Sequence, residues 1–198
     1  KYVVAFEPID INVRYLLRNI RANNWESLIE VYPLALSNKV GVIEIYGGGT
    51  GASLVKGWAG TSEEDVTLVP CTTLENVLGS RFKDKKWFVL VDIEGAEKMM
   101  LDGASSIVDM EPKPIWMMEI SVSEHQPKGT IINPNLLSTF QVFWSSGYEA
   151  LTADKQCRTV HPHEIREIVR SGVSTLDTHN FLFVEKARAG KLLRQLEG

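Results

Sequence analysis

Short apolar runs that alternate with helical stripes constrain this chain more than any other feature. Trp87-Phe88-Val89-Leu90-Val91 is the most strand-like, bounded by Asp84-Lys85-Lys86 before it and Asp92 after it. A run that is apolar on both faces of its pleat has to be covered on both sides, as in the interior of an α/β sheet. Tyr2 to Phe6, Val40 to Tyr46, Ile115 to Ile120, Tyr148 to Thr152 and Phe181 to Val184 read the same way. Ser27 to Ser37 reads as a further strand region, interrupted by Pro33. Between the first two runs, Val13, Leu16, Leu17 and Ile20 recur at the spacing of one helix face, with Arg14, Arg18 and Arg21 turned outward. More helices are expected from a Thr72-x-x-Glu75 capping box to Gly79, from near Gly95 to just before Pro112, and from Pro134 to Gly147. A last one runs from His161 to Gly172 with Ile165, Ile168 and Val169 inward, and the tail from Lys186 reads as a short polar helix or frayed end. This alternation predicts an α/β fold with a mostly parallel sheet and helices on both faces.

A chain of 198 residues is read as one domain, 1–198. At that length about 70% of the unfolded surface can be buried, so no disulfide or metal staple is required. Cys71 and Cys157 form neither a zinc spacing nor a disulfide framework, which suits a reducing compartment and gives a cytoplasmic location as the expectation. No apolar run approaches the roughly 18 residues of a membrane span. The 21 basic and 25 acidic residues are scattered and leave a net charge of −4, which argues against a nucleic-acid partner. Nothing in the pattern speaks to oligomeric state. The chain opens at Lys1 and enters a strand at once, with no initiator Met or signal peptide, so its start reads as an interior point of a fold.

In open α/β sheets ligands bind beyond the carboxyl ends of the strands, which reduces the search to five places. These are Glu7, Ser37, Asp92 with Glu94, Glu119 with His125, and His179. Glu7 is either an acceptor for both ribose hydroxyls of a nucleotide or a solvated acid before a proline turn. Strand alternation would put Asp92 and Glu94 on one side, where they repel, so a metal, a cationic ligand or a shared proton is expected between them. Gly95 allows a sharp turn into the following helix, and Glu97 complements its positive end. His125 can act as a general base near neutral pH or be an inert loop residue. His161 and His163 read as a helix cap, since a metal role would need a third ligand. The cluster Glu44-x-x-Gly47-Gly48-Gly49-Thr50-Gly51 is similar to an acid-led glycine cofactor loop. Its acid is one residue out of register, and Gly57 and Gly60 spoil the helix that should follow, so it reads as a flexible loop. The five tryptophans, at 25, 58, 87, 116 and 144, read mainly as packing.

The order of these blocks resembles the FkbM-type methyltransferase family over nearly the whole chain. The likeness rests on Val4-Ala5-Phe6-Glu7-Pro8, then Asn12, Leu16-Leu17, Asn19 and Asn23, then Ala35-Leu36-Ser37. It continues through Val91-Asp92-Ile93-Glu94-Gly95-Ala96-Glu97, Leu101-x-Gly103-Ala104, Glu119-Ile120, Ser146-Gly147-Tyr148 and Asn180-Phe181-Leu182-Phe183-Val184. The resemblance implies a class I, Rossmann-like methyltransferase that uses S-adenosylmethionine. It implies O-methylation of a hydroxyl on a sugar, glycan or secondary metabolite, hence a small-molecule or glycan acceptor.

Carried onto this sequence, Glu7 would bind the cofactor ribose and Leu36-Ser37 would lie beside the adenine. Asp92 and Glu94 would stand at the fourth strand's carboxyl end, close to the transferred methyl. Either would serve as the base that removes the acceptor's proton, or both as ligands of a divalent metal that lowers the hydroxyl pKa, with His125 as the reserve base. Gly51-Ala52-Ser53-Leu54 resembles the small-residue loop after the family's third strand. The family's first strand and glycine-rich motif precede the Phe-Glu-Pro block, where here only Lys1 to Ala5 stand. The expectation is therefore an N-terminally truncated domain lacking its central strand. Two other readings remain: an NAD-dependent oxidoreductase, whose cofactor ribose Glu7 could equally hold, and a non-catalytic Rossmann-like binding or scaffold domain.

Overall fold

The computed structural model of the chain describes residues 1–196 and gathers the apolar runs into three sheets. In the first, β1 (Val3–Phe6) and β2 (Ile29–Tyr32) pair in parallel, with Val3 opposite Ile29 and Phe6 opposite Tyr32. The crossover between them is α1 (Asp10–Ala22), which buries Val13 and Ile20 as its apolar stripe predicts. The second sheet has the order β3-β5-β4, from β3 (Ala35–Leu36), β4 (Gly41–Tyr46) and β5 (Val66–Thr72).

Next come α2 (Leu74–Leu78), β6 (Phe88–Val91), α3 (Glu97–Leu101), α4 (Ser105–Val108), β7 (Ile115–Glu119) and α5 (Leu136–Ser145). The chain closes with β8 (Tyr148–Thr152), β9 (Thr159–Val160), α6 (Pro162–Ser171), β10 (Asn180–Glu185) and α7 (Lys186–Leu196). The helical reading of the tail thus holds to Leu196, and its last two residues lie outside the described part. The third sheet is ordered β6-β7-β10-β8-β9. None of the described helices is long and apolar enough to cross a membrane.

The sheets are mixed, which corrects the expectation of a mostly parallel one. β1–β2, β3–β5 and β6–β7 are parallel, whereas β4–β5, β7–β10, β8–β10 and β8–β9 are antiparallel. The reason is the connections. β4 and β5 are joined by a loop rather than a crossover helix, and β10 threads between β7 and β8 on its way back. Sequence patterning misses β5 because Pro70 interrupts it. The proline is tolerated because β3 pairs only with Cys71 and Thr72, so at Pro70 the strand has β4 as its one neighbour.

Local details differ too. The helix expected from Gly95 is two short ones, broken where Gly103 passes so close to Ser37 that a Cβ would lie 2.3 Å from its carbonyl oxygen. At α2 the cap is Thr73, whose hydroxyl accepts the Asn76 N–H at 3.1 Å. Glu75 reaches away instead, accepting from Ser105 Oγ and the Ser106 N–H at the start of α4. Val169 points outward, while Ile165 and Ile168 are buried.

The main core fills the space between α5 and the third sheet. Trp116, Phe140, Phe143, Phe181 and Phe183 are fully buried, and the Phe143 and Phe183 rings stack at 3.9 Å. One seam runs through the molecule. β1 and β6 are both strand edges, do not pair, and face each other across a slot of about 1060 Å³. Tyr2 meets Phe82 at one end (5.7 Å between rings), and Phe6 and Asp92 line the other, so the two strands run in the same direction. Phe88 and Leu90 of β6 are left 61% and 66% exposed. Across this seam Arg81 donates to both Glu30 carboxylate oxygens, at 3.2 and 2.7 Å, and to the Tyr32 hydroxyl.

Candidate active site

The carboxyl ends of β1, β3 and β6 converge on one cavity of about 250 Å³. Glu7, Leu36, Asp92 and Glu94 all line it, together with Asn12 of α1 and Gly49 of the loop after β4. Ser37 and His125 do not. Asn12 Nδ2 donates to the Gly49 carbonyl at 3.0 Å, which ties the glycine loop to α1 at the cavity wall.

Glu7 is half-buried at the end of β1. Its Oε1 accepts the Ile9 N–H at 2.7 Å and fixes the turn over Pro8 into α1. Oε2 has no partner among the described residues and is available to a ligand. Leu36 supplies an apolar wall. Ser37 is fully buried, donates its N–H to the Thr72 carbonyl at 2.9 Å and packs beneath Gly103. That position stitches β3 to β5 rather than facing the cavity.

Asp92 and Glu94 share the cavity, but through a turn and not through strand alternation: β6 ends at Val91, and Glu94 has a left-handed backbone with φ +52°. Burial raises the Asp92 carboxyl above the ordinary carboxylate range, the Glu94 charge adds to this, and His179 opposes it. Glu119, at the end of β7, is raised by burial and by Asp92. His179 Nε2 lies 3.9 Å from Glu119 Oε1. The antiparallel return of β10, with Asn180 opposite Glu119, is what brings this histidine to the acids. Periodicity marks both residues as strand ends but carries no sign that they meet. As for the divalent-metal alternative, among the described residues no three or more His, Cys, Asp or Glu stand in ligand geometry.

The turn is held from several sides. Ser53 Oγ donates to the Glu94 carbonyl, and Trp58 Nε1 donates to Glu94 Oε2 at 2.8 Å. Gly95, at φ +89°, lies against the Trp58 ring, so close that a Cβ would be 2.6 Å from it. Glu97 is buried and accepts the Gly95 N–H at 2.8 Å, and burial pushes its carboxyl up to about 7. His125 is exposed, with φ +61° and its ring 6.1 Å from that of Trp58, while its carbonyl accepts the Ala59 N–H at 2.7 Å. The Gly47–Gly60 segment, expected to be a flexible loop, is therefore pinned onto the end of β6. The sequence marks Trp58 mainly as packing. The signal that singles it out is the pair Gly57 and Gly60 around it, at φ +75° and +73°.

The fold is thus an α/β one in which Glu7, Asp92 and Glu94 stand at strand ends around one cavity, the place where open α/β sheets bind their ligands. Residues 1–171 match the methyltransferase FkbM domain, and the chain belongs to that family. Among solved structures, the methyltransferase FkbM from Methylobacillus flagellatus KT is similar, with a TM-score of 0.50 and 18% identity. The match covers 92% of this chain and 36% of that one, so the chain spans little more than a third of that protein's length, and the likeness is one of fold. No curated protein matches.

Proposed function

We propose that this chain is part of an S-adenosylmethionine-dependent methyltransferase that methylates a hydroxyl of a small-molecule or glycan acceptor, such as a sugar or secondary metabolite. The observation that carries this reading is the meeting of Glu7 with the Asp92–Glu94 turn in one cavity. Family membership supports methyl transfer over the hydride transfer that Glu7 alone would equally allow.

When bound, S-adenosylmethionine supplies a sulfonium methyl that is already strongly electrophilic. The chain's own residues then have two tasks, to orient and to handle a proton. The free Oε2 of Glu7 suits the vicinal hydroxyls of a ribose, and Leu36 suits the edge of a base. Asp92, with its raised affinity for a proton, and Glu94 are placed to take the proton of an acceptor hydroxyl. Ser37 and His125 have no part in this scheme.

At about 250 Å³ the cavity falls short of the roughly 300–1,000 Å³ of pockets that enclose a whole ligand, so it suits only a portion of the cofactor. The slot between β1 and β6 opens into the same place, since Phe6, Leu36, Asp92 and Ile93 line both. We propose that a further strand fills this slot and that its trailing glycine-rich loop completes the cofactor site. Two free thiols, Cys71 and Cys157, agree with a cytoplasmic setting.

Calorimetric titration with S-adenosylhomocysteine, on this chain and on one extended upstream of Lys1, tests the reading. Binding is expected in the extended form, and Glu94→Gln in that form should keep it while losing methyl transfer. Binding by neither form would favour a scaffold domain. Undiminished transfer by the variant would remove Glu94 from the chemistry.

A further inference from the structure

We infer that Trp58 is the positioning residue of Glu94, an assignment that rests on the methyltransferase reading for its catalytic consequence and on geometry alone for the pairing. Trp58 is 2% exposed, and its single N–H donor lies 2.8 Å from Glu94 Oε2. Burial by itself does not require that partner: Trp87, also packed against the core, donates to the Phe82 backbone carbonyl instead.

The indole's direction is fixed from both sides. Its ring lies on Gly95, and the backbone carbonyl of Trp58 accepts the Thr61 hydroxyl at 2.7 Å. Ser53 holds the Glu94 carbonyl from the same loop. Three non-glycine residues with left-handed backbone lie around Trp58: Ala59 at φ +50°, Glu94 at +52° and His125 at +61°. The Ala59 N–H bonds the His125 carbonyl at 2.7 Å. Such conformations persist only where their surroundings over-determine them. With Oε2 taken by the indole, Oε1 is the oxygen of Glu94 without a partner among the described residues. The carboxylate therefore meets the cavity through one oxygen of fixed direction, which is what an in-line proton acceptor needs.

Trp58→Phe tests this, because it keeps a ring over Gly95 and removes the donor. The Trp58 indole ¹H–¹⁵N resonance, assigned by its loss in that variant, should move in Glu94→Gln; a resonance that stays put overturns the pairing. In the slot-filled enzyme, kcat of Trp58→Phe should fall by about a hundredfold while the KM for S-adenosylmethionine stays within about twofold. An unchanged kcat, or kcat and KM worsening together with a lower melting temperature, would reduce Trp58 to packing and overturn the assignment. Absence of methyl transfer in the wild type would sink the methyltransferase reading instead, and the resonance would then decide alone whether Trp58 holds Glu94.

Discussion

Replacing Glu97 by Gln isolates the cost of a charge buried at the start of α3. Burial raises this carboxyl from the ordinary 4.5 to about 7, against the pull of its own N–H and that of Gly95, with Glu94 and Glu119 adding to the rise. Below pH 4.5 both the folded and the unfolded chain hold the proton. Between 4.5 and about 7 the unfolded chain releases it while the native one keeps it, and above that the native state must carry a buried anion. The contribution to stability is thus full at low pH and is lost as pH rises through this window. A pKa difference of about 2.5, at about 1.36 kcal/mol per unit, comes to about 3 kcal/mol. For a chain of this size each kcal/mol moves Tm by about 2–4 °C, so the whole effect is about 6–12 °C. Gln keeps an oxygen for the Gly95 N–H and does not ionise. Thermal melts followed by circular dichroism should therefore show similar Tm for wild type and Glu97→Gln near pH 4.5, and the variant higher by about that margin at about pH 8. A gap between the two that does not change with pH would refute the reasoning.

Gly95→Ala forces a Cβ into the Trp58 ring and a side chain onto φ +89°, and should cost roughly 1–3 kcal/mol by urea unfolding. An unmoved midpoint would mean that Trp58 is not seated there. Hydrogen bonding from Arg81 is the largest cause holding Glu30 down at about 2, so the stability this pair contributes is present above pH 4.5 and is lost as pH falls toward 2. Arg81→Met should accordingly lower Tm at pH 6 and make little difference at pH 2; an equal loss at both would show that only the packing of Arg81 matters. Phe140→Ala removes a fully buried ring in contact with Phe181 and Phe183 and should cost about 3–5 kcal/mol, read as a shift in the denaturation midpoint.

How much of this was legible depends on whether the signal was local. Apolar periodicity located α1, α5, α6 and most strands because each buries a face that its own sequence must supply. The rule that sites lie at strand ends singled out Glu7, Asp92 and Glu94, and all three line one cavity. What escaped was set by tertiary contact. β5 hides behind Pro70, whose missing N–H matters only once its neighbours are known. The antiparallel insertion of β10, which brings His179 to Glu119, leaves no mark in either segment. Ser37 stands in the right block but is buried under Gly103, a closeness fixed by a backbone crossing between distant segments. Trp58 looked like any other packed indole, because its meaning lies in one hydrogen bond to a residue 36 positions away.

The seam between β1 and β6 has a consequence for how the molecule opens. Glu7 hangs on the first sheet and Asp92 and Glu94 on the third, and no strand pairing joins the two. While the slot between them stands open such sheets can loosen as separate cooperative units, with amide exchange in β1 independent of that in β6, and a strand seated in the slot would couple them. A molecule that touches acids on both sides is then a tie-rod. Part of its binding free energy is absorbed in restraining the two halves, so protection against exchange should rise in β1 and β6 together when it binds.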